Sequence, residues 1–168
     1  MRNNRRASRR GALIGALLVV PLFLVSCTSS GYPADPDGTF DGATGGTLSV
    51  GISHHPPYVD ASGPEPTGSE VALIRAFAED IDAEIEWTVS GEEALMTALE
   101  AGDVDLVGGG LTDQSPWSSK GSLTRGYAED TGPDGQTVQL VLAVPLGENQ
   151  MLAELERFLD SAHPGATP

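Results

Sequence analysis

Apolar positions along this chain change period several times, and each change marks an element. In Thr47–Ile52 (TLSVGI) Leu48, Val50 and Ile52 alternate on one face, the period of a strand. Ser53–Tyr58 (SHHPPY) follows as a proline-stiffened loop, and Gly63–Pro66 as a turn. Thr67-Gly68-Ser69-Glu70 has capping-box spacing, and Val71, Ile74, Phe77, Ala78 and Ile81 then form a helical stripe. Glu70, Glu79, Asp80 and Asp82 are expected to face water. Ile85, Trp87 and Val89 alternate on a second strand, with Trp87 expected in the core. Ser90-Gly91-Glu92-Glu93 is a second capping box, Leu95, Ala98 and Leu99 give the next helix its core face, and Gly102 ends it. Val104–Val107 is a short buried strand.

The order is therefore β-α-β-α-β with short connections. Such connections make the three strands parallel and lay helices over the sheet. Parallel strands empty their loops onto one edge, where open α/β sheets bind ligands. The loops at that edge are Ser53–Tyr58, Ser90-Gly91 and Gly108–Trp117. Gly108, Gly109 and Gly110 let a ligand or another segment approach the backbone closely. Thr112, Asp113, Gln114, Ser115 and Trp117 add hydrogen-bonding groups and one flat ring. Thr112 and Asp113 can equally cap the turn leading to Ser119, and Tyr58 can equally cap the sheet edge.

After Tyr127 the segment Ala128–Gln136 is polar and turn-rich, and Val138–Val144 reads as a single strand. Pro145–Gly147 breaks it. Asn149 can cap a last helix with Met151, Leu152, Leu155, Phe158 and Leu159 inward, and Ser161–Pro168 is expected to fray. At the other end, Arg2, Arg5, Arg6, Arg9 and Arg10 precede the apolar run Gly11–Ser26, the layout of an export signal over residues 1–26. Leu24-Val25-Ser26-Cys27 resembles a lipoprotein signal, in which Cys27 becomes lipidated; Ser8-Arg9-Arg10 resembles a twin-arginine export motif. Residues 27–46, rich in Gly, Ser, Asp, Thr and Pro, read as a flexible tether, and 47–161 as the ordered domain.

Charge narrows the partners. Five of the nine cations precede Cys27, leaving four against 24 anions, a formal charge of −20. Nucleic acid and flat docking on an anionic bilayer are both disfavoured by that repulsion. Cys27 is the only cysteine, so no disulfide holds the fold. His54 and His55 are adjacent and point opposite ways in an extended segment, a poor arrangement for one metal ion. Ser53, His54 and Asp60 lack a nucleophile elbow, and there is no phosphate loop, so neither catalysis nor a cofactor is expected.

In order, TLSVGISHHPPYV, GPEPTGSEVALIRAFAEDI, EALMTALEAGDVDLVGGGLT and SLTRGYAE resemble the first lobe of the bacterial extracellular solute-binding proteins that serve polar amino acid importers. The resemblance implies a single-lobe, periplasmic-binding-protein-like three-layer α/β fold, mostly parallel, with helices on both faces of the sheet. It implies a lipid-anchored, extracytoplasmic protein that binds a small polar solute, an amino acid or related amine. The site would use His54, Tyr58, Gly109, Gly110, Thr112, Asp113 and Trp117. The partner would be a membrane permease. Two departures follow from the same comparison. The family's second lobe is missing between Tyr127 and VLAVPLGEN, so half the enclosure of a ligand is lost. The arginine that grips a ligand's carboxylate in the amino acid binders is replaced by Trp117, and Arg125 lies further on. Trp117 suits a flat, cationic or sugar-like ligand better. The other reading is a lobe without a ligand, whose former cleft binds another protein or a second copy.

Overall fold

The computed structural model describes residues 33–162. The export signal, Cys27, the start of the expected tether and the last six residues lie outside the described residues. In chain order the elements are α1 (Thr39–Ala43), β1 (Thr47–Ile52), α2 (Ser69–Asp80), β2 (Glu84–Val89), α3 (Glu92–Ala101) and β3 (Leu106–Gly108). There follow β4 (Ser122–Leu123), β5 (Ala128–Thr131), β6 (Thr137–Leu140), β7 (Ala143–Val144) and α4 (Asn149–Ala162).

The main sheet has the order β2-β1-β3-β7-β4. β1 pairs in parallel with both β2 and β3, in the register Val50 to Trp87 and Val50 to Leu106, whereas β7 runs antiparallel to β3 and to β4. The strand period of two divides the core between the two faces. Leu48, Val50, Ile52 and Leu106 point to one side and join Ile74 and Phe77 of α2 and Met151 and Leu155 of α4. Val107, next to Leu106, points to the other side and joins Leu95, Met96 and Leu99 of α3. A Cβ on Gly51 would lie 2.8 Å from the Leu95 side chain, so the glycine lets α3 close onto β1. Each fully buried side chain of this kind contributes roughly 1.5–3 kcal/mol. The result is three layers, as the resemblance implied.

Several local expectations need correction. Neither capping box forms: α2 begins after Gly68 and α3 after Gly91, both without a side-chain cap. Glu70, expected in water, is 1% exposed. β2 is an edge strand, so Val89 is 54% exposed and Trp87 half-buried, with the Arg75 guanidinium 5.2 Å from its ring centroid. The run Val138–Val144 is not one strand. β6 pairs with β5 in a separate hairpin, and the chain bends at Val141-Leu142 before β7 enters the main sheet. Leu142 N–H there donates to Thr124 Oγ1 (3.0 Å). Order also begins before residue 47. Glu148, at the start of α4, accepts the N–H groups of Asp37 (3.0 Å) and Thr39 (3.1 Å), and Ala43 is buried. The second half of the expected tether is thus packed onto the lobe.

Candidate functional site

The loops after β1 and β3 meet at one edge of the sheet. Ser53 N–H donates to Gly108 O (3.2 Å), and Ser53 Oγ donates to Gly109 O (3.1 Å). The contact depends on glycine. Gly109 has φ +130°, and a Cβ there would lie 2.0 Å from Ser53 Oγ. Gly110, at φ +74°, would place a Cβ 2.5 Å from the His55 ring. His55 in turn stacks on Tyr58, with centroids 5.9 Å apart and planes 18° apart. The Tyr58 phenol hydrogen-bonds Asp130 of β5, and its pKa is raised first by burial and then by that carboxylate.

The predicted residues fall into four local groups. Tyr58, Gly109 and Gly110 come together, but through His55. His54 turns into its own loop, where Nδ1 accepts Ala61 N–H (3.1 Å) and lies 3.7 Å from Asp60 Oδ1. Thr112 and Asp113 face the hairpin. Asp113 N–H donates to Gln139 O (2.9 Å) and its Oδ1 accepts Gln139 N–H (3.1 Å), while Thr112 N–H donates to Ser115 Oγ (3.0 Å). Trp117 sits on the α3 side of the sheet. Its ring packs on the smaller core cluster and its indole N–H donates to Glu92 in the first turn of α3.

Glu70 went unrecognised from the sequence. Its Oε2 accepts the N–H groups of both Gly109 (3.1 Å) and Gly110 (2.9 Å), and its own N–H donates to Tyr58 O (3.1 Å). The N–H groups of Gly109 and Gly110 are therefore taken up inside the lobe, and the Gly109 carbonyl by Ser53 Oγ, leaving mainly the surrounding side chains for the edge. Burial raises the Glu70 pKa, against the pull of the two amides and of the neighbouring Tyr127 phenol. The Tyr127 phenol is pushed well up, by burial and then by Glu70. The sequence did carry a signal for this: Glu70 precedes Ile74 by four and Phe77 by seven, so it lies on the apolar stripe itself.

Each of the four cations among the described residues is paired with carboxylates: Arg75 with Glu65 (3.2 Å), Lys120 with Glu100 (3.5 Å), Arg125 with Glu156 (3.1 Å) and Asp160 (2.8 Å), and Arg157 with Glu154 (2.7 Å). A cavity of about 630 Å³ lies at the opposite end of the strands, among Thr47, Gly102, Asp105 and Pro145.

The sequence profile of the bacterial extracellular solute-binding proteins, family 3, matches residues 48–163. The chain belongs to this family. Solved structures of similar fold include the arginine-bound form of domain 1 from TmArgBP, the T. maritima protein. It has 23% identity and a TM-score of 0.60, with 68% of this chain and 92% of that chain covered. A Salmonella typhimurium periplasmic binding protein described for high arginine specificity has 14% identity and a TM-score of 0.62, with 71% and 94% covered. An ancestral cyclohexadienyl dehydratase has 13% identity and a TM-score of 0.59, with 68% and 86% covered. No curated protein matches by direct sequence comparison. Membership in a family of extracellular binding proteins gives the chain a solute-binding role and an extracytoplasmic setting. Among the described residues no helix is long and apolar enough to cross a membrane.

Proposed function

We propose that this family member is a lipid-anchored lobe, tethered through Cys27, that binds a small cationic solute weakly at the edge formed by the β1 and β3 loops. It would present that solute to a membrane permease, and it binds rather than catalyses. The observation that carries this reading is electrostatic. All four described arginine and lysine side chains are already paired with carboxylates, so a ligand carboxylate would have to compete for any of them. Asp130 is half-buried against the His55–Tyr58 stack, and its Oδ1 accepts Thr131 N–H (2.7 Å). A carboxylate beside π faces favours an organic cation. An amine without a carboxylate thus fits better than a zwitterionic amino acid. The open face buries less of any ligand than a closed cleft, which supports weak binding.

Thermal shift with agmatine and with L-arginine tests the reading, because the two differ by the carboxylate. Agmatine should raise the melting temperature at concentrations where L-arginine does not. Equal or larger shifts with L-arginine would overturn the preference for an amine, and no shift with either would overturn solute binding. One observation favours a second reading, an interface for another protein or a second copy. Asp113, Thr112, His54 and Trp117 all have partners inside the lobe already. A dimer mass in light scattering, with no thermal shift, would support it.

A further inference from the structure

Three segments reach the solute edge from different parts of the chain, and Glu70 touches all of them. Its N–H holds the Tyr58 carbonyl of the β1 loop. Its Oε2 holds the consecutive amides of Gly109 and Gly110 in the β3 loop. Its carboxylate also interacts electrostatically with the Tyr127 phenol, on the residue before β5. The geometry leaves little slack. Gly68, two residues earlier, has φ +125°, and a Cβ there would lie 2.1 Å from Tyr58 O. Gly108 would bring a Cβ within 3.0 Å of Glu70 Oε1. Two amides pointing at one buried oxygen have no other acceptor, so the loop conformation at Gly109-Gly110 depends on that carboxylate.

We infer that Glu70 is the positioning residue of this edge: it holds the Gly109-Gly110 turn against Ser53 and His55, and thereby sets the spacing between the His55–Tyr58 stack and Thr112. It touches no solute itself. The inference gives the proposed solute edge its shape and rests on that reading for its significance, but its test needs no ligand. Backbone amide NMR of the folded protein reads it directly. In wild type the Gly109 and Gly110 amide protons should be shifted downfield and protected. They should follow a common titration lying above the ordinary glutamate range, since burial raises the Glu70 pKa.

Glu70→Leu keeps the bulk and removes the acceptor. Both amides should then exchange about tenfold faster or more, because two buried donors lose their partner. Exchange in β1 should change less. Should Glu70→Leu fail to fold, Glu70→Gln keeps an acceptor oxygen and removes the titration. It should retain protection at both glycines and abolish their pH-dependent shift. Amides that titrate unchanged in Glu70→Gln, or stay equally protected in folded Glu70→Leu, would overturn the inference. Adding agmatine separates the two proposals. Wild type that binds neither agmatine nor L-arginine removes the solute reading, while the amide result still stands or falls alone. Agmatine affinity lost in folded Glu70→Leu and recovered in Glu70→Gln is the expected result.

Discussion

Gly109 shows how much of this edge hangs on single residues. Its φ of +130° is disfavoured for any side chain, and a Cβ would also press on Ser53 Oγ at 2.0 Å and on Ser53 N and O at 2.8 Å. Strain and overlap add, so Gly109→Ala should cost at least about 2 kcal/mol, measurable by urea unfolding. A loss below about 0.5 kcal/mol would show that the two loops do not meet there. Trp117 gives a milder case. Trp117→Phe removes the N–H that Glu92 accepts but keeps the ring on the α3 cluster, so a loss of about 1 kcal/mol is expected by the same measurement. The three glycines were legible in the sequence because their spacing after an apolar run has few other uses. Glu70 was not, because Thr67-Gly68-Ser69-Glu70 satisfies a capping pattern as well as it satisfies the apolar stripe, and only the fold decides between them. The sequence reading places His54 at the edge, because adjacent histidines of one loop cannot be told apart by pattern, and it is His55 that packs on Gly110.

Among the elements, β1, α2, β2, α3 and α4 could be read from periodicity, since each runs for six residues or more. β4, with two residues, and β5, with four, are too short to show a period, and the turn-rich composition around β5 hid it. The split of β6 from β7 was invisible because Val138, Leu140, Val141, Leu142, Ala143 and Val144 are all buried, with no polar residue at the bend. α1 was missed for another reason. Its five residues gain their hold from a distant partner, Glu148, rather than from their own pattern. Asp35 joins that clasp. It accepts Phe40 N–H (3.0 Å) and hydrogen-bonds Glu148, and burial followed by Glu148 raises its pKa from 3.8 to about 6. An acid with a raised pKa in the fold contributes stability that is complete below 3.8 and lost as pH rises through about 6. Glu148 has the opposite sign: its pKa is lowered, so its contribution is present above 4.5 and lost in acid. Asp35→Asn supplies a permanent donor to Glu148 and removes the Asp35 titration. The variant should melt near wild type at pH 4 and a few degrees above it at pH 7.5. An offset independent of pH would show that the two carboxyls do not share a proton.

At the scale of the whole molecule, the turn at 132–136 joins β5 to β6 where the family resemblance implied a second lobe. That absence was legible because it is a gap inside an otherwise continuous match, and the profile match over residues 48–163 bears out the family. The strand edge was legible too, because three parallel strands can empty their loops only one way. The internal pairing of Asp113 was not, since it depends on a hairpin the sequence did not reveal, and that of Trp117 depends on Glu92 of α3, brought beside it only by the fold. Net charge acts on the same scale. With four cations against 24 anions after Cys27, self-repulsion opposes the compact state, so the melting temperature should climb as NaCl rises from low salt to about 0.5 M. A fall would mean that the arginine and lysine ion pairs among the described residues outweigh the repulsion. The central claim is that the edge shared by the β1 and β3 loops takes up a cation. Titration of the isotope-labelled protein with agmatine, followed through backbone amide shifts, tests it most directly. Saturating changes should gather at His55, Tyr58, Gly110 and Thr112; changes confined to Thr47, Gly102 and Asp105 at the far end of the strands, or none at all, would contradict it.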